Sequence, residues 1–140
     1  MIRYAADSRL GTLTPSGSWG NKMQLIVRAF PVLPGKQQQM RQFAEDMRTT
    51  RSAEAADFYR RIGAARESWH LQTTPAGDWV IGVTQIPDRP IDVAAEEYAR
   101  STHAFDQWFK EQVMLVTGVN PETTPLGPPT ECIFDTNARG

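Results

Sequence analysis

The sequence predicts an α+β fold: a four-stranded antiparallel sheet with helices on one face, in the order strand, helix, strand, strand, helix, strand. Three observations carry that expectation. Two alternating runs flank a Pro75-Ala76-Gly77-Asp78 turn, two long stretches follow a helical period and end at glycine, and a short β-like segment stands at each end.

The first strand is read over 23–30 (MQLIVRAF), rich in branched apolar residues and stopped by Pro31. One face carries Leu25, Val27 and Ala29; the other carries Gln24, Ile26, Arg28 and Phe30. After Pro34-Gly35, Met40, Ala44, Met47, Ala55, Phe58 and Ile62 lie near a 3.6-residue stripe that Gly63 stops. Thr49-Thr50 and Arg51 interrupt the stripe, so one bent helix, or two with Ser52 as a new N-cap, both satisfy it. Residues 65–74 alternate, with Glu67, Trp69, Leu71 and Thr73 on one face and Arg66, Ser68, His70 and Gln72 on the other. The turn then feeds a second β-like run over 79–86. Residues 91–100 form an amphipathic helical piece, and Ser101 or Thr102 can cap the next, which carries Phe105, Phe109, Val113 and Val116 up to Gly118. Residues 120–129 hold four prolines and a glycine and read as a loop before a last short strand, 131–134 (ECIF), in which Cys132 is expected to be a buried, inert thiol.

The 140 residues suit one domain, read as 23–135, between a leader at 1–22 without hydrophobic period and a loose tail at 136–140. Fifteen basic against sixteen acidic residues leave a net charge of −1, which gives no basic field for nucleic acid or an anionic membrane. No apolar run reaches the ~18–20 residues of a membrane span. One cysteine excludes an internal disulfide and a multi-cysteine metal site, and a reducing, cytoplasmic setting is expected. Glycine-rich phosphate loops, nucleophile elbows and zinc-protease helices are absent from the sequence.

The element order is that of the ferredoxin-like split βαβ arrangement. With helices on one face, the other sheet face is left half apolar and half polar, and a second copy of the sheet is its expected cover. On the MQLIVRAF strand, the ESWHLQTTPAGDWVIGVTQ hairpin and the YARSTHAFDQWFK helix, the chain resembles small bacterial members of the dimeric α/β-barrel superfamily, over roughly 23–134. That resemblance implies a homodimer whose two sheets close into a shared barrel. Its branches include cofactor-independent monooxygenases, muconolactone isomerases, haem-binding relatives and stress-associated proteins.

His70, in mid-strand between Ser68 and Gln72, is a candidate general base or haem ligand if it faces a cavity; a polar residue satisfied by its neighbours is the plain alternative. His103 and Asp106, three apart, share a helix face as base and orienting carboxylate, or else cap the helix start. Arg28 and Glu67 are charges inside apolar strands, read as an ion pair or, for Arg28, as the holder of an anionic substrate oxygen. Trp69, Trp79, Tyr98, Phe105, Trp108 and Phe109 are the aromatic candidates for a pocket wall, Trp79 and Trp108 foremost, against the ordinary reading as core and interface. The leading functional expectation is a homodimer binding a small apolar or aromatic molecule, catalytic as a cofactor-independent monooxygenase or isomerase with His70 as proton acceptor. The alternatives are a haem-binding or haem-degrading relative with His70 or His103 as ligand, and a non-catalytic structural dimer. No metal site is expected.

Overall fold

The computed structural model describes residues 23–87 and 89–137, so the expected leader and the last three residues of the expected tail lie outside the described residues. The elements run β1 (Gln24–Val32), α1 (Gln37–Arg48), α2 (Ser52–Ile62), β2 (Arg66–Thr74), β3 (Gly77–Ile86), α3 (Ile91–Arg100) and α4 (Ala104–Thr117). The interruption at 49–51 does divide the first helical stripe, and Ser52 opens the second helix rather than capping it; the cap position belongs to Arg51. Gly63 and Gly118 close α2 and α4 in left-handed conformations.

The strands form one antiparallel sheet in the order β1-β3-β2. The β2–β3 hairpin turns through Pro75-Ala76, with Thr74 opposite Gly77. Pro31, expected to stop the first strand, lies inside β1 opposite Trp79. The edge position explains the difference. Ala29 donates its N–H outward to Pro128 O (3.3 Å), so two residues later the backbone nitrogen of Pro31 also faces the free edge, where no ladder donor is needed.

The predicted fourth strand is corrected among the described residues. Residues 131–134 join no ladder, Ile133 and Phe134 are 88% and 79% exposed, and Cys132 is exposed rather than buried. The chain does reach the outer edge of β1, where a fourth strand would stand, but it makes only an isolated antiparallel bridge between Arg28 and Pro129. Pro128 and Pro129 supply no N–H, and the Thr130 hydroxyl, 2.7 Å from Val27 O, replaces one missing donor.

All four helices pack on the sheet face made by Ile26, Phe30, Val32, Val80 and Ile86. Phe58, Phe105, Ile86 and Val116 are the largest apolar side chains fully enclosed there. No helix covers the opposite face among the described residues. Leu25 (55% exposed) and Trp79 (39%) stand on it with the half-buried Val27, Ile81 and Val83.

The 119–130 loop closes one end of the layer, with Leu126 packed beside Ile26 and Ile86. Gly127 makes this closure possible: its φ is +88°, and a Cβ there would overlap the Phe30 ring. Gly127→Ala is therefore expected to cost more than the ~1 kcal/mol of left-handed strain alone. Urea denaturation checks this, and a change under about 0.5 kcal/mol would show that the ring moves aside freely.

Candidate functional site

The alternation in β2 turns Glu67 and Trp69 toward the helices and His70 toward the open face. Hairpin register then sets their neighbours: Thr84 stands opposite Glu67, and Gly82 opposite Trp69. On the far side of β3, Ile26 pairs with Thr84 and Arg28 with Gly82. The inner face therefore carries two cross-sheet rows, Ile26–Thr84–Glu67 and Arg28–Gly82–Trp69, placed beneath the aromatic residues of α1, α2 and α4.

Between these rows and the helices lies a cavity of about 110 Å³. Its lining is mostly apolar, with Phe43, Phe58, Trp69 and Phe109 as the large aromatic walls. Phe43 meets Trp69 at 4.9 Å and Phe109 at 5.2 Å between ring centroids, so the wall is a tilted aromatic cluster rather than a flat stack.

Glu67 is the polar centre. Its Oε2 accepts from Tyr59 Oη (2.8 Å) and Trp69 Nε1 (2.5 Å), and its Oε1 from Thr84 Oγ1 (2.8 Å). Part of the residue is accessible, but its carboxyl group is surrounded by protein. Burial pushes that carboxyl above its ordinary range, and the hydrogen bonds from Trp69, Thr84 and Tyr59 pull it only part of the way back. Tyr59 is raised well above its usual value by burial and then by Glu67, so it stays a phenol and donates. Tyr98, another lining residue, is raised by burial and by Glu67 and Asp106.

Arg28 lines the same cavity but forms no ion pair with Glu67, contrary to expectation, among the described residues. Its Nη1 donates to Val27 O (3.2 Å), while its Nε is buried with no hydrogen-bond partner among the described residues.

The other candidates stand elsewhere. His70 is exposed on the open face, with its Nε2 3.0 Å from Ser68 Oγ, the neighbour the sequence named. Trp79 is on that face too. Trp108 lies outside the cavity, edge-on to Phe43 and beneath the Arg51 guanidinium at 4.1 Å. Asp106 is fully buried but is not the partner of His103. Arg61 grips both its oxygens (2.9 and 2.8 Å) and Ser101 Oγ donates at 2.6 Å, while His103 is exposed at the N-cap of α4. Burial pushes Asp106 up, but Arg61 and Ser101 outweigh it and leave the carboxyl below its ordinary value. Lys110, also buried, ties α4 to the end of α3 through the carbonyls of Ala99 and Ser101 at 2.9 and 3.0 Å. These are structural anchors of the helical layer.

Sequence reasoning missed Tyr59, Gly82 and Thr84. A two-residue hairpin loop would have placed Gly82 and Thr84 opposite Trp69 and Glu67; nothing local marked Tyr59, which sits beside the apolar stripe of α2. Among the described residues no group of His, Cys, Asp and Glu is placed to hold a metal ion, and no helix is long and apolar enough to cross a membrane. Compared with protein-family models, curated proteins and solved structures, the chain matches none.

Proposed function

We propose that this chain binds a small apolar or aromatic molecule in the cavity between sheet and helices, and that Glu67 exchanges a proton with it. The observation that carries the reading is a carboxyl with a raised proton affinity in a mostly apolar cavity, fixed by three donors from α2, β2 and β3. An apolar core gains nothing from such a group, since its desolvation costs several kcal/mol where a leucine would cost none. A proton acceptor with affinity shifted toward neutrality is what an isomerisation needs. Of the two activities implied by the family resemblance, the isomerase reading has this group to support it. Glu67 takes the role expected of His70.

The open sheet face supports the second half of the proposal, a homodimer. Leu25, Trp79, Ile81 and Val83 form an apolar area that no element covers among the described residues, and Ile133 and Phe134 are exposed as well. In a paired sheet, His70 and Ser68 would face the second copy. A free, exposed thiol at Cys132 fits a reducing compartment such as the cytoplasm. The haem reading draws no support from this cavity: neither histidine lines it, and about 110 Å³ is too small for a porphyrin.

The test is solvent-deuterium exchange into a panel of small cyclic ketones and lactones, followed by NMR. Wild-type protein is expected to catalyse exchange at the carbon next to the carbonyl. Glu67→Gln keeps the shape and is expected to lose roughly 10²–10⁴-fold in rate without a lower melting temperature. Exchange unaffected by the substitution would end the catalytic reading, and a panel with no binder would leave the structural dimer.

A further inference from the structure

The middle of the inner sheet face lacks a side chain. Gly82 sits on the central strand, between Arg28 on one side and Trp69 on the other. Its backbone is not left-handed, so no turn or bulge geometry calls for glycine. A Cβ built there meets nothing within 4 Å. A glycine in a strand interior is weakening, and here the only thing it supplies is room. That room is part of the cavity.

Beside the gap is an unspent donor. The Arg28 guanidinium has a buried Nε–H with no partner among the described residues. Buried donors are almost always paired, and a charged one pairs best with an anionic oxygen. On the other side of the gap stands the Trp69 ring, held by its hydrogen bond to Glu67 and its contact with Phe43. The size also narrows the choice. About 110 Å³ is close to the space that takes one benzene-sized ring, and well short of a drug-sized ligand.

We infer that the gap over Gly82 takes a single-ring compound bearing an anionic oxygen, the ring lying against Trp69 and the oxygen on the Arg28 guanidinium. A monocyclic carboxylate is the simplest member of the class. This rests on the cavity reading above and adds the ligand's chemistry. Glycine at 82 is then the residue that sets ligand size, because any side chain there occupies the ring's place.

Benzoate and benzyl alcohol, similar in shape but different in charge, test it by calorimetry on the full chain. Benzoate is expected to bind wild-type protein roughly tenfold or more tighter than benzyl alcohol. Arg28→Gln should erase that preference while leaving benzyl alcohol within about threefold. Gly82→Ala, which adds a methyl to open space, should fold at least as stably as wild type and weaken both ligands; Gly82→Val should abolish both. If both compounds bind equally and Arg28→Gln changes neither, the anionic-oxygen assignment is overturned while the cavity reading survives. Binding of neither compound overturns this inference, and ketone or lactone binding alongside that result would spare the cavity reading. Unaltered binding in Gly82→Val would place the ligand away from the gap.

Discussion

Phe58→Ala is expected to destabilise the protein by about 3–5 kcal/mol, in the upper part of the range for large-to-small core changes. Phe58 is 2% exposed and touches four aromatic rings, with centroids at 4.8 Å for Phe109, 5.0 Å for Tyr59, 5.6 Å for Phe105 and 5.7 Å for Tyr98. Those rings come from three helices, so no single shift can close the hole. The truncated side chain also lines the existing cavity, and the two spaces would merge. Urea denaturation with an unchanged m-value measures the effect. A loss under about 1.5 kcal/mol would show that the aromatic cluster collapses around the gap.

Arg61→Leu is expected to cost about 3 kcal/mol at neutral pH. The substitution removes the two-pronged grip on Asp106, whose side chain is 2% exposed, and leaves Ser101 Oγ as its remaining hydrogen-bond donor. Arg61 is itself 30% exposed, which holds the figure to the lower end of the range for broken buried pairs. The same pair sets a pH dependence. Asp106 has its carboxyl lowered in the folded chain, so its contribution is whole above the ordinary value of 3.8 and is lost as pH falls through the folded value. Glu67 runs the other way: raised on folding, its contribution is whole below the ordinary 4.5 and fades as pH rises through the folded value. Melting curves across pH should show Arg61→Leu flattening the acid limb and Glu67→Gln flattening the other. Parallel curves for all three proteins would mean neither carboxyl is linked to folding.

How much of this was legible depends on the range of the interactions. Alternation in residues 66–74 separated Glu67 and Trp69 from His70 because a strand has a strict period of two. It could not say which face the helices cover, since both faces carry polar residues among apolar ones, and that choice moved the candidate base from His70 to Glu67. The two helical stripes and their glycine stops were local signals and appear in the structure. The fourth strand failed because ECIF has strand composition, while Pro128-Pro129 just before it, which lack N–H donors, decide whether a ladder can start. Asp106 was read with His103, its helical neighbour in sequence. Its true partner, Arg61, lies 45 residues away on another helix, and no local spacing encodes that.

The cavity has a meaning for the life of the protein in a cell as well as for its chemistry. A cavity of about 110 Å³ in a packed interior, wherever nothing occupies it, forgoes roughly 2–3 kcal/mol of contacts, a sizeable part of what holds a domain this small together. A molecule that fills it returns that margin by mass action. Unliganded chains would then unfold more often and meet proteases more often. If the proposed ligand is the one that fills the cavity, the steady amount of the protein would follow the supply of that ligand, with no transcriptional control required.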